Sequence, residues 1–135
     1  MKLEYGNAID LLFGEFPKIK EARDSDLEFW DYECEHKCHM LYSIEFVPYI
    51  LLLLQKNEER ELRRIFNFVE RLMSSDDKYL INLAEVSIIE PLYFEDANVN
   101  HKAALLKHCG SRTLQSFIEC FDDEERAEWD NAKAA

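Results

Sequence analysis

The densest group of reactive side chains is residues 33–39, Glu-Cys-Glu-His-Lys-Cys-His. Cys34, His36, Cys38 and His39 are each competent zinc ligands, because thiolate and imidazole are the donors that tetrahedral zinc sites use. On a helix Cys34 and Cys38 would share one face and Glu33 and His36 another, so gathering all four donors needs two faces at once. A di-metal carboxylate bundle needs a second Glu-x-x-His and two further helical glutamates at matching depth, and Glu33-x-x-His36 stands alone. Cys-x-x-Cys half-sites are absent, and His101, His108, Cys109 and Cys120 are too irregularly spaced to form a second pair. The expectation is no metal and no cofactor, with the cysteines acting as small buried hydrophobes.

Other chemistry finds no motif. There is no phosphate-cradling Gly-rich loop, no Gly-x-Ser-x-Gly elbow and no His-Glu-x-x-His, and Cys109-Gly110-Ser111 reads as a helix junction. An enzyme is not expected. Arg60, Arg63, Arg64 and Arg71 could touch phosphate, but Glu59, Glu61 and Glu70 lie on the same segment and offset them. A net charge of -12, spread along the chain rather than gathered in a tail, repels nucleic acid and attracts basic proteins.

The elements that must position these residues read as helices. Three glycines and three prolines in 135 residues are few for a fold built on tight turns, and no stretch alternates at period two. The chain suits one domain, residues 1–135, with nine Phe, six Tyr and two Trp to fill a core. Its centre is residues 58–94. Leu62, Ile65, Phe66, Val69, Leu72 and Met73 recur at steps of three or four, and Glu59, Arg60, Arg63, Arg64, Asn67, Glu70 and Arg71 form the solvated side, with Glu59 one turn before Arg63. After the turn Ser74–Asp77 a second helix, capped by Asp76, carries Leu80, Leu83, Ala84, Ser87 and Ile88 as a stripe. Ile81, Val86, Ile89, Leu92 and Tyr93 widen it, and Pro91 sits near its end. The expected core includes Ile65, Phe66, Val69, Leu83, Val86 and Ile88.

Elsewhere, Ala8 to Phe13 form a short helix ending near Gly14, and Phe16-Pro17 redirects the chain. Ser25 and Glu28 stand at capping-box spacing. Met40 to Gln55 is apolar, with Pro48 kinking a helix or beginning a second one, and it suits a core helix rather than a membrane span. Asn57 can cap the central pair, Asn100 a helix through His108 with Ala103 to Leu106 inward, and Gly110 can stop it in the left-handed region. Leu114, Phe117, Ile118 and Phe121 give another amphipathic helix. The sum is an all-α, compact bundle of antiparallel helical hairpins or a short HEAT-like stack. With no basic-then-apolar leader at its start, the chain is expected to be cytoplasmic.

Two segments combine acid with aromatic side chains. Around Glu28, Trp30, Asp31 and Glu33, the aromatic is either a core anchor with solvated neighbours or a partner contact. From Asp122, a capping-box partner of Glu125, the chain continues through Asp123 and Glu124 to Glu128, Trp129 and Asp130. Capping and the helix dipole account for the first acids but not for those a turn later. Both segments are candidate contacts for a basic protein.

The block Arg64-Ile65-Phe66-Asn67-Phe68-Val69-Glu70-Arg71-Leu72, the turn Ser74–Asp77, and then Tyr79, Asn82-Leu83, Val86-Ser87 and Glu90 resemble a family of small acidic helical bacterial proteins. That family includes immunity proteins of contact-dependent growth inhibition and other polymorphic toxin systems. The resemblance implies a cytoplasmic, non-catalytic antitoxin that binds the C-terminal toxin domain of a large exported protein, such as a nuclease. It assigns no site residues. A non-catalytic adaptor or scaffold for a basic protein partner is the alternative the same acidic surface serves.

Overall fold

In the computed structural model, residues 1–30, 36–96 and 102–134 are described. After a 3-10 turn at Tyr5–Asn7 come α1 (Ala8–Glu15), α2 (Pro17–Asp24), α3 (Leu27–Trp30), α4 (Lys37–Leu41), α5 (Val47–Lys56), α6 (Glu59–Met73), α7 (Lys78–Ala84), α8 (Glu90–Asp96), α9 (Lys102–Lys107), α10 (Ser111–Glu119) and α11 (Asp123–Ala134). Among the described residues there is no strand, and the architecture is the all-α compact bundle.

Two long rods carry the bundle, and both contain a π turn. Tyr42–Phe46 joins α4 to α5, with the Val47 N–H reaching back five residues to the Tyr42 carbonyl, and Glu85–Ile89 joins α7 to α8 with the same bond from Glu90 to Glu85. Each π turn ends two residues before a proline, Pro48 or Pro91. Proline has no N–H for the carbonyl four residues back and presses its ring on it, so an opened turn at that carbonyl lets the helix run on. Of the two outcomes expected at Pro48, the separate second helix does not occur, because the backbone stays helical through it. The helix is continuous over Lys37–Lys56, 20 residues that contain an 18-residue window of mean hydropathy 1.3, and by length and composition alone it could cross a membrane. Here Leu41, Tyr42, Phe46, Val47, Ile50, Leu53 and Leu54 bury one face in the bundle.

The second rod, residues 78–96, shows what the extra residue does. A π turn holds more residues than an α turn, so every later side chain lags around the axis. Ile89 and Leu92 are thereby fully buried and Tyr93 nearly so, while Phe94 turns outward. Val86 is a correction: expected inside, it is 44% exposed. It precedes Ser87, a member of the buried stripe, by one residue, and its hydrophobicity does not outweigh about 100° of rotation. The two π turns pack on one another, and His39 Nδ1 lies 2.7 Å from the Ser87 hydroxyl.

α6 buries its expected stripe, Leu62, Ile65, Phe66, Val69, Leu72 and Met73, and also Phe68. Phe68 meets Phe16 edge-on at 5.3 Å and Phe46 at 6.0 Å between ring centres. Tyr42 packs on Phe46 and donates its hydroxyl to the Ala8 carbonyl at 2.8 Å, which fixes α1 to the first rod.

Several caps differ from those the spacing suggests. Asp77, not Asp76, caps α7, accepting from the Tyr79 N–H at 2.9 Å and from the Tyr5 N–H at 2.7 Å. Asn57 does not cap α6; it ends α5 in the left-handed conformation (φ 53°), which asparagine tolerates. Ser25 closes α2 by donating to the Glu21 carbonyl instead of opening α3. The first helix runs past Gly14 to Glu15, and Ala103 is exposed although Leu105 is buried. The proposed cap at Asn100 lies outside the described residues.

Gly110 is not a left-handed stop. Its backbone is extended (φ -72°, ψ 174°) and it starts α10. The need for glycine comes from Glu70: an added Cβ would sit 2.5 Å from the Glu70 carboxyl carbon. That carboxylate accepts the Thr113 N–H at 2.9 Å, the Thr113 hydroxyl at 2.8 Å and the Arg112 N–H at 3.2 Å, capping α10 from a neighbouring helix.

Candidate interaction surface

Three of the four arginines of α6, and a lysine of α9, are matched; exposed Arg60 has no ion pair among the described residues. Arg63 pairs with Glu59 at 3.8 Å, Arg64 with Glu61 at 2.7 Å, Arg71 with Glu15 at 2.9 Å, and Lys107 of α9 with Glu59 at 2.8 Å. Arg64 also donates to the Glu15 carbonyl at 2.8 Å and covers the Phe16 ring, and Arg71 covers Phe68. Arg64 is thus tied to a carboxylate, to the end of α1 and to a ring, and Arg71 to a carboxylate and a ring, contacts that a phosphate would have to displace.

α11 is built differently. The Glu125 N–H donates to Asp122 at 2.8 Å and the Asp122 N–H to Glu125 at 3.4 Å, the expected capping box. The Tyr93 hydroxyl donates to the same Glu125 carboxylate; burial first, then that carboxylate, pushes the Tyr93 hydroxyl well above its ordinary value. Trp129 lies edge-on to Phe121 at 6.2 Å, and Phe121 rests on Tyr93 at 5.9 Å. Leu106, Phe121, Glu125, Glu128, Trp129 and Ala132 line a cleft of about 210 Å³ between α9 and α11. Asp122 and Glu125 therefore hold the helix in place. Asp123, Glu124, Glu128 and Asp130 are exposed, and none of them has an ion pair among the described residues.

The acidic field extends beyond α11. Burial and then the charges of Glu119 and Glu90 raise the Glu85 carboxyl. Burial raises the Cys120 thiol too, helped by Glu90, Glu119, Glu125 and Glu85 around it.

The other acidic and aromatic segment is only partly in view. Glu28 is exposed on α3, which packs against α2. Trp30 is 3% exposed and places its indole N–H 3.3 Å from Glu45, so it is a core anchor and not a contact surface. Asp31 and Glu33 lie outside the described residues.

Cys34 of the Cys/His cluster also lies outside the described residues. Burial raises the Cys38 thiol to about 11, partly offset by a hydrogen bond with Tyr5, so it is not a thiolate at neutral pH. Burial, then the neighbouring His36, lowers His39. The short Ser87 and His39 contact has the groups of a nucleophile and base, but Ser87 is 3% exposed inside a rod, out of a substrate's reach. It ties α4 to the second π turn.

The matched residues of one family span nearly all of this architecture. The chain belongs to the family described as Domain of unknown function (DUF7674), whose model matches residues 9–123. No curated protein and no solved structure matches it. The family match takes in both rods, α6 and α10, and stops at the first residue of α11.

Sequence reasoning missed three features of the surface. Glu70 was read as solvated, although it caps α10. Tyr79 and Phe94, 63% and 61% exposed, were not marked as surface aromatics. The signal was present for Tyr79, which shares a face with Asn82 and Val86 at steps of three and four, opposite the buried stripe; Phe94 reaches that face only through the π turn.

Proposed function

We propose that the protein is a cytoplasmic, non-catalytic immunity protein that binds and neutralises a basic toxin domain, such as a nuclease, of a polymorphic or contact-dependent growth inhibition system. The observation that carries this reading is the separation of charge: Arg63, Arg64, Arg71 and Lys107 are matched around α6, whereas Asp123, Glu124, Glu128 and Asp130 of α11 are exposed with no ion pair among the described residues. A domain that cleaves nucleic acid needs a basic cleft, and an acidic inhibitor gains both attraction toward it and the means to cover it. The sequence resemblance to immunity proteins supports the same reading, and the position of α11 beyond the family match suits an element tuned to one partner.

The test begins with the open reading frame immediately upstream of the gene. Coexpression should rescue cells from the toxin domain encoded there, and purified proteins should associate. Changing Asp123→Asn, Glu124→Gln, Glu128→Gln and Asp130→Asn together, with Asp122 and Glu125 kept as the cap, should slow association at low salt by at least about tenfold. An adaptor would give no rescue. Unaltered association by the folded variant would remove α11 from the mechanism.

A further inference from the structure

Tyr79, Asn82, Val86, Glu90 and Phe94 lie on one face of the rod formed by residues 78–96, and that face is turned out of the bundle. A single exposed hydrophobe is ordinary, but Tyr79, Val86 and Phe94 fall in register along one line. Carboxylates edge the line. Glu90 lies within it, Glu85 precedes Val86 in the π turn, and α10, which ends at Glu119, packs against that turn, so the charges of Glu119 and Glu90 act on Glu85. None of these three glutamates has an ion pair among the described residues.

We propose that this face docks a basic amphipathic helix of a protein partner, its apolar side chains against Tyr79, Val86 and Phe94 and its lysines or arginines against Glu85, Glu90 and Glu119. Charge complementarity selects that occupant over a second copy of the chain, which at -12 would bring the same carboxylates together. At about 1.5 Å per residue the line from Tyr79 to Phe94 is about 22 Å long, matching about four turns of a partner helix. The inference rests on reading the protein as a binding protein, but on a surface other than α11.

The probe is a synthetic amphipathic peptide of about 18 residues, leucine at every third or fourth position and lysine elsewhere, titrated into the full chain at low salt. Its controls are a scrambled peptide of the same composition and one with glutamate in place of lysine. The patterned basic peptide should bind at least about tenfold more tightly than either control. The exposed double variant Val86→Ser with Phe94→Ser, checked for an unchanged helical spectrum, should lose that advantage, as should Glu85→Gln with Glu90→Gln and Glu119→Gln. The α11 quadruple variant should keep it. Equal binding of scrambled and patterned peptides, or undiminished binding to the folded Val86/Phe94 variant, overturns the proposal. So does a wild-type dimer that this variant dissociates, because a second copy then owns the face. Toxin rescue that the α11 variant loses, together with equal binding of patterned and scrambled peptides by the wild type, overturns this surface and leaves the immunity reading intact. Peptide binding as expected without any toxin rescue overturns the immunity reading and leaves this surface standing.

Discussion

α6 and α11 are both charged helices flanked by carboxylates, and they use their charges in opposite ways. α6 buries a continuous face, places Glu59 and Glu61 in its first turn and Arg71 in its last, and matches Arg63, Arg64 and Arg71 to Glu59, Glu61 and Glu15. It also supplies Glu70 as a cap for α10. α11 touches the bundle through Trp129 and through Glu125, which the Tyr93 hydroxyl reaches, and Asp123, Glu124, Glu128 and Asp130 face solvent with no ion pair among the described residues. The difference teaches that a high acid count by itself says little about binding. What matters is which carboxylates the fold already employs, because a carboxylate held by several N–H donors is not free to meet a partner.

The largest effect should come from α6. Phe66 is 1% exposed and stacks near the His108 ring, so Phe66→Ala should lower unfolding stability by about 3 to 5 kcal/mol, read by chemical denaturation. A loss within error would break the assignment of α6 as the load-carrying side of the comparison. Next is the Gly110 contact: Gly110→Ala forces the Glu70 carboxylate away from the end of α10 and should cost about 1 to 3 kcal/mol.

A smaller effect separates the two kinds of glutamate by pH. Burial pushes Glu70 up, but the Thr113 N–H and hydroxyl and the Arg112 N–H outweigh it, leaving the carboxyl below its ordinary 4.5. A depressed carboxyl stabilises the fold above the unfolded value and loses that contribution as pH falls through the folded value. Glu70→Gln should therefore cost about 1 kcal/mol at neutral pH, and the gap to wild type should close as the solution is acidified below about 4.5. Glu85 has the reverse sign. Its raised carboxyl penalises the fold above the folded value, and the penalty fades as pH falls toward 4.5. Glu85→Gln should be neutral or stabilising by no more than about 0.5 kcal/mol at neutral pH, with no difference in acid. If both substitutions gave the same sign, the contrast between employed and unemployed acids would fail.

The helical fold and most of the core were legible because burial at steps of three and four is written into local order. Leu62, Ile65, Phe66, Val69, Leu83 and Ile88 are buried as their spacing requires. The Asp122 and Glu125 capping box was equally legible, its partners being three residues apart. Phe68 was not: what buries it are Phe16 and Phe46, each at least 22 residues away in the chain. The candidate surface divides in the same manner, since acids can be counted along a sequence but their partners cannot. Trp30 turns inward to Glu45, and Glu70 reaches across to Thr113.

The sequence by itself determined helix, stripe and net charge, since each follows from the residue types within a turn or two. Tertiary structure decided the rest. It set the role of Gly110 through a carboxylate from another helix. It placed π turns beside Pro48 and Pro91, which rotate Tyr93 inward and Phe94 outward, and it decided which carboxylates remain uncompensated. The physical reason is that caps, ion pairs and rotation about a helix axis depend on distances between segments remote in the chain, and those distances exist only once the helices have packed.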